Sequence, residues 1–475
     1  MAALVIALIL AITTVLALKS PRTALLTGLF LGSWSGVDVD FGLRLTAYQL
    51  VMAPLCLVML LRLVHPGPRL PAIQLGWPFA IMLLYAIINA VFQIAYLPEA
   101  EIANSALRGP VVRAVIQTLM HLFTLAPVLL VPALFPDPLD ALRLLRTWFA
   151  STLTLLAAGV VQLTIWYGTG VNPIPIGFLN TLLGGTAGLR EGIATLDGLF
   201  IYRMNAFANE PRNLGTTIGL AMVIVQGMAL ALPKVQPLRL LGLWLLLLAG
   251  LLLTLSTSGI GVWLIGTLML LPAMWITRVP VQRSARTIMA AASGIILPLV
   301  AAVIIAENAG VPVLDILNQR TLERITLTGV LEDFDLAILS WLMVSPDHVW
   351  LGGGLGNAHL YATPYLLPEH ALYAEGQVFS AKTFLIRLIS EQGIIGLLLL
   401  LLFLLTRLLA AAWIRAVPSL APLVPLSLTL FVMVLASAQL SNELWFTAGT
   451  LVMLASHAAR LRQQAPVLPA AAQPA

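Results

Sequence analysis

The sequence predicts an all-α polytopic membrane protein, with about 12–13 transmembrane helices and two long outer loops, the larger containing short helices. Three observations predict it. Of 475 residues, 60% are hydrophobic and only 9% charged, and the mean hydropathy is +0.98. Soluble domains carry about 25% charged residues, so a water-facing surface of this size could not be covered. Apolar runs close to the ~20 residues that cross a bilayer recur along the chain. The charges between them alternate in sign from one loop to the next. A soluble enzyme and a disordered protein are excluded.

The apolar runs fall near 2–18, 23–37, 45–64, 76–96, 114–135, 148–168, 214–232, 238–256, 258–276, 287–306, 385–406, 418–438 and 443–458. The first two are short and could form one hairpin. Met1–Leu18 has no basic start and no clear small-residue cleavage site, so it is expected to be a span rather than a cleaved leader. The single cysteine, Cys56, lies in an apolar run, and no internal disulfide can form. No period of 20–50 residues announces a repeat.

Charge fixes the expected orientation. Alternate loops and the C-terminal tail contain 15 of the 25 basic residues, among them Lys19, Arg62, Arg143, Lys234, Arg278, Arg407 and Arg460, with only Asp137 and Asp140 as acids. Basic loops stay cytoplasmic, which puts the N-terminus outside and the C-terminus inside. The excess of positive charge is thereby a matter of topology, not of nucleic-acid binding. The organisation reads as N-terminal transmembrane helices over 1–168, a first long outer loop over 169–213, central helices over 214–306, a large outer loop over 307–382, C-terminal helices over 383–460 and a disordered cytoplasmic tail over 461–475. The short cytoplasmic connections leave no room for a nucleotide-binding domain, and no Walker-type loop is present.

Polar residues gather in the two long outer loops. The first ends in Tyr202-Arg-Met-Asn-Ala-Phe-Ala-Asn-Glu-Pro-Arg-Asn-Leu-Gly215. Pro211 suits the first turn of the helix that follows, with Asn209 or Glu210 as its cap. A helix N-terminus flanked by Arg203 and Arg212 is a natural anion site, since backbone donors and guanidinium forks both match phosphate. Ion pairing of these arginines with Asp197 and Glu210 is the alternative. The second loop holds Arg320 and Arg324, then an amphipathic stretch through Trp341, then Pro346-Asp-His-Val-Trp-Leu-Gly-Gly-Gly-Leu-Gly-Asn-Ala-His359. The glycines permit positive φ and close approach of a ligand; a plain tight loop is the alternative. His348, His359 and His370 match no zinc spacing. Asp38-Val-Asp40 offers two hard oxygen ligands, but Glu99/Glu101 and Asp333/Asp335 repeat that spacing.

These motifs, taken with Ser390-Glu-Gln-Gly-Ile-Ile-Gly396, resemble the bacterial O-antigen ligase/polymerase family. The likeness covers about residues 200–400; the first half agrees only in topology. It implies a multi-pass protein of the bacterial inner membrane, with its active site facing the periplasm. It further implies a glycosyltransferase that moves glycans from undecaprenyl diphosphate, without metal or other cofactor. The partners it implies are an undecaprenyl-diphosphate-linked oligosaccharide, the lipid bilayer, a flippase and chain-length or export proteins, with no nucleic acid. Ligases of the family usually carry a His-Asn pair where this chain has Ala381-Lys382. That departure favours a polymerase of exopolysaccharide, capsule or O-antigen repeat units over a ligase acting on lipid A core.

Breaking a sugar–diphosphate bond develops charge on the leaving oxygens, which fixed cations stabilise. Arg203 and Arg212 are the first candidates to bind the diphosphate, with Arg324, Lys382 or Arg387 completing the clamp. Glu210 is the expected base for the acceptor hydroxyl, with Glu391 and His359 as substitutes; Glu391 could instead pair with Arg387 four residues earlier. Two rival classes remain. A polysaccharide or lipid transporter would carry broken helices and mid-membrane charges. A metal-dependent lipid-phosphate glycosyltransferase would use Asp38 and Asp40.

Overall fold

The computed structural model describes residues 2–40, 44–64, 73–97, 109–171, 193–196, 199–208, 210–232, 236–282, 304–305, 308, 333–368, 378–412, 414, 417–437 and 441–464. In chain order the helices and strands are α1 (Ala2–Lys19), α2 (Pro21–Leu31), β1 (Asp38–Asp40), β2 (Arg44–Thr46), α3 (Ala47–Val64), α4 (Trp77–Ile94), α5 (Pro110–Thr124), α6 (Ala126–Leu134) and α7 (Asp140–Thr169). Then follow β3 (Ile193–Leu196), β4 (Leu199–Tyr202), α8 (Pro211–Ala231), α9 (Pro237–Leu253), α10 (Thr257–Ile276), α11 (Asp333–Val344), α12 (Pro346–Leu351) and α13 (Ala358–Ala362). The chain closes with α14 (Phe384–Ala411), α15 (Leu423–Leu435) and α16 (Ser441–Gln464).

Helix dominates, and among the described residues six segments are long and apolar enough to cross a membrane: α4, α5 with α6, α7, α8, α10 and α14. Every expected apolar run coincides with a described helix except 287–306, most of which lies outside the described residues. The second run ends early, at Leu31. Two small antiparallel hairpins, β1–β2 and β3–β4, depart from a purely α expectation. Both are too short to leave the apolar periodicity of a strand in the sequence. The short helices expected in the large loop are α11, α12 and α13.

Proline sets where many helices begin. Pro21, Pro110, Pro211, Pro237 and Pro346 each open a helix, because a fixed φ and a missing N–H cost nothing at the first turn. Ser256 caps α10, its side chain accepting from the Gly259 amide at 3.0 Å. The bundle closes around α8, which is buried along nearly its whole length. It meets α10 backbone to backbone: a Cβ on Gly259 would lie 2.6 Å from the Gly215 carbonyl carbon, and one on Gly219 would lie 2.8 Å from the Gly259 oxygen. Small residues four apart on one face permit this approach, which is how helices pack where no hydrophobic driving force separates lipid from protein.

The segment entering α8 is tied to α7 by one side chain. Buried Gln162 donates through Nε2 to Tyr202 Oη and Asn205 Oδ1, both at 2.6 Å. Its Oε1 accepts from the amides of Asn205 (3.2 Å) and Ala206 (2.9 Å), the latter holding Ala206 at a φ of 49°. Gln162→Leu orphans these groups, at about 1–3 kcal/mol for each buried donor or acceptor left unmade. It is expected to lower the thermal midpoint of the detergent-purified protein by several degrees. An unchanged midpoint would show that the segment is held by other means.

Candidate functional site

The glycine-rich loop after α12 is the centre of a polar site built from four helices. It begins where α14 is broken: Gly393 has φ 70° and ψ −179°, which interrupts the helical hydrogen bonds and frees carbonyls around it. The loop takes up one of them, Gly353 N–H donating to Ser390 O at 2.7 Å. Tyr85 Oη of α4 takes another, donating to Gln392 O at 2.7 Å. Approach is backbone to backbone. A Cβ on Gly393 would collide with the Trp350 carbonyl, and one on Gly352 would lie 2.5 Å from the Glu391 carbonyl carbon. Gly352, Gly354 and Gly356 all have positive φ, and what approaches them is the main chain of α14 at Gly352 and the side chains of Gln93 and Gln117 at Gly354 and Gly356.

Two polar stripes hold the other side of the loop. On α4, Asn89 Nδ2 donates to Leu351 O at 2.9 Å and Gln93 Nε2 to Gly352 O at 2.8 Å. On α5, Arg113 Nε donates to Gly356 O at 2.8 Å, and Gln117 packs against Gly356. One turn further, His121 Nε2 lies 3.2 Å from Gln392 Nε2 of α14. Both stripes repeat every four residues, Tyr85-Asn89-Gln93 and Arg113-Gln117-His121, which places each set on one helix face. That spacing, in otherwise apolar helices, is the signal by which these residues could have been found. The motif reading missed them because it covers only residues 200–400.

On α14, Arg387 Nε donates to Glu391 Oε1 at 3.2 Å, with side-chain exposures of 44% and 10%. Arg113 is within electrostatic reach of both members of this pair. Each arginine is therefore anchored through Nε, and among the described residues the Nη groups of neither make a hydrogen bond. His359 of α13 is buried beside Arg113. Burial, then the Arg113 charge, push its pKa down to about 4, while the Gly356 backbone, close but off hydrogen-bond geometry, pulls the other way. Its imidazole is thus neutral at pH 7. His348 stands apart from this group, packed against Trp341 and Tyr361 at ring-centroid distances of 5.1 and 4.8 Å.

The remaining sequence candidates fall elsewhere. Glu210 and Arg212 pair with each other at 2.9 Å, at 16% and 21% side-chain exposure. They lie at the start of α8, where Glu210 holds the N-cap position without a capping bond from its side chain, Trp34 stacks on Phe207 at 4.7 Å and Asn213 Nδ2 donates to Ser35 Oγ at 3.0 Å. Arg203 is half-buried in the strand-to-helix connection. Lys382 precedes α14, its ammonium 5.5 Å from the centre of the Phe334 ring. Its amide, with that of Thr383, donates to Asp335 of α11, at 2.6 and 3.4 Å; Asp335 also accepts from Thr383 Oγ1 at 2.7 Å. A carboxylate from another helix thereby caps α14. Arg324, Asp197 and His370 lie outside the described residues. Asp38 is buried in the β1–β2 hairpin. Among the described residues no cluster of three or more His, Cys, Asp or Glu could hold a metal ion.

Two measurements check this geometry. Gly393→Ala is expected to detach the loop, so the Gly353 amide exchanges hydrogen faster. Gly242→Ala, where an added Cβ meets nothing within 4 Å, should leave that rate unchanged; equal rates in the two variants would refute the docking. For His359, the unfolded chain takes up a proton near its ordinary value of 6.5, but the folded one only near 4. Stability is therefore unaffected above pH 6.5 and falls as the pH drops from about 6.5 to about 4. His359→Gln should remove that part of the loss in a series of thermal midpoints against pH.

No protein-family model matches this chain, and no curated protein shows significant similarity to it.

Proposed function

We propose that this protein is a metal-independent membrane glycosyltransferase that polymerises glycan repeat units carried on undecaprenyl diphosphate, at the periplasmic face of a bacterial inner membrane. One observation carries the reading. Two guanidinium groups, Arg113 and Arg387, are anchored through Nε at one glycine loop, with their Nη groups unengaged and the Glu391 carboxylate between them in charge. A diphosphate is the ligand whose geometry suits a pair of guanidinium forks. The apolar helices supply the bilayer setting, and the alternation of charge supports the outward orientation.

The chemistry follows from the placement. An acceptor hydroxyl attacks the anomeric carbon of the donor, forming the new C–O bond as the bond from that carbon to the diphosphate breaks. The hydroxyl proton passes to Glu391, and the negative charge that develops on the leaving diphosphate is met by Arg113 and Arg387. Fixed cations there stabilise the transition state more than the ground state. His359, neutral and beside Arg113, contributes no charge of its own to this stabilisation. In this arrangement Arg387 takes the diphosphate and Glu391 the proton, while Glu210 and Arg212 hold the entry to α8. The Ala381-Lys382 departure supports polymerase over ligase.

The test is incubation of the purified protein with a lipid-diphosphate-linked repeat unit. A ladder of products is expected; single transfer to a lipid A core would mean a ligase, and absence of turnover would overturn the proposal. Arg113→Lys and Arg387→Lys should each lower turnover by about 10²–10³-fold, because a point charge does not replace a fork. Full activity in both lysine variants would sink the guanidinium clamp.

A further inference from the structure

The helices around the glycine loop measure the depth at which it lies. Arg407 Nη1 donates to Gln74 O at 2.7 Å, and the Gln74 amide donates to Ser456 Oγ at 3.0 Å. Arg460 follows one turn further along α16, and exposed Trp77 opens α4 at the same level. Arginine and tryptophan gather where a bilayer's apolar slab ends, so this level marks one of its edges. From that edge α14 carries no charge between Arg407 and Gly393, a rise of about 21 Å. Along α4, Asn89 stands about 18 Å and Gln93 about 24 Å beyond Trp77. These two side chains hold Leu351 O and Gly352 O, and the Trp350 carbonyl abuts Gly393. A hydrocarbon core is about 30 Å thick. Two independent rulers therefore put the end of α12 inside it, about 6–12 Å short of the far boundary.

We propose that α12 is a re-entrant segment whose C-terminal end lies among lipid acyl chains, with Trp350 as the lipid-facing side chain. Backbone that is not helical survives at membrane depth only where protein satisfies it. Here Gly352, Gly353 and Gly354 are buried. Leu351 O, Gly352 O and Gly356 O each accept from a side chain, and the Gly353 amide donates to Ser390 O. Trp350, in contrast, is 55% exposed, and Met343 and Val344 just before α12 are 85% and 61% exposed. At this depth the surroundings of an outward-facing side chain are hydrocarbon, not water. Indole suits the zone just below the boundary, being mostly apolar with one N–H to offer the headgroups. Asp347, exposed in the first turn of α12, limits the insertion. A carboxylate stays at the boundary, so only the later turn enters. The inference concerns lipid contact alone and stands without the proposed transfer reaction.

The experiment is spin labelling of the full chain in phosphatidylcholine vesicles. Collisions of the nitroxide are read with oxygen, which concentrates in hydrocarbon, and with a water-soluble nickel chelate. Cys56→Ala removes the native thiol, and labels are attached after Trp350→Cys or Asp347→Cys. Leu398→Cys, at an exposed position in the spanning part of α14, and Lys19→Cys, at the exposed end of α1, are the lipid and water references. The oxygen-to-nickel ratio at Trp350 is expected to lie nearer that of Leu398 than that of Lys19, and above that of Asp347. A ratio nearer that of Lys19, or below that of Asp347, would overturn the proposal. Few collisions with either reagent would mean a covering protein surface and overturn it as well. Should Trp350→Cys fail to fold, the unmodified chain is photolabelled with a phosphatidylcholine bearing a diazirine on its acyl chain. Labelling at Trp350 is then expected, and its absence would sink the proposal.

Discussion

The contact between the Trp350 carbonyl and the break in α14 at Gly393 governs the geometry of the whole site. Only hydrogen atoms fit there, since a Cβ at Gly393 or at Gly352 would meet main chain rather than a yielding side chain. Two backbones brought this close exchange the hydrogen bonds that a continuous helix would have kept for itself. Ser390 O goes to the loop and Gln392 O to Tyr85. The break thus costs less than it otherwise would, because these two freed carbonyls find donors. What it gains is placement: Glu391 sits at the end of one helical segment, facing the loop that also holds Arg113.

In an apolar helix bundle every polar side chain must be satisfied or functional. Asn89, Gln93 and Tyr85 are satisfied, each donating to a main-chain carbonyl of the loop or of α14. They are scaffold. Arg113 and Arg387 are satisfied at Nε alone, and among the described residues the other four of five donors on each have no hydrogen-bond partner. Guanidinium groups engaged only at Nε near one carboxylate form a site with net positive character and a fixed shape. An anion that fits gains the charge-assisted bonds without ordering new side chains, which is the preorganisation that electrostatic catalysis needs.

Much of the architecture was legible in the sequence, because the signal for a spanning helix is additive over some twenty residues. The Gly352–Gly356 loop and the Glu391–Gly393 turn were also legible as motifs, as was the Arg387–Glu391 spacing. That these two motifs touch was not, since nothing in either announces that Gly393 would leave the helix. Arg113 and His121 were passed over for a different reason. A single arginine at the end of an apolar run reads as a topology marker, and only its alignment with Gln117 and His121 on one face sets it apart. Asp335 was read as one of several repeated acid pairs, whereas it caps α14 from a neighbouring helix. Caps supplied across tertiary contacts leave no local pattern.

The two arginine–glutamate pairs look alike in sequence and differ in what they leave open. Arg212 and Glu210 are two residues apart and shield each other, at 21% and 16% exposure. An anion reaching Arg212 would have to displace a carboxylate already in contact with one of its terminal nitrogens, the Nη2 that donates at 2.9 Å. Arg387 is bound through Nε instead, at 3.2 Å, with its side chain 44% exposed and its carboxylate only 10%. The same pairing therefore closes one guanidinium and presents the other. Coulomb attraction to a diphosphate acts on both, but the fork geometry that gives phosphate recognition its strength requires free terminal N–H groups. By that criterion the diphosphate of the proposed reaction is assigned to Arg387 and Arg113, at the loop that Gly393 makes room for.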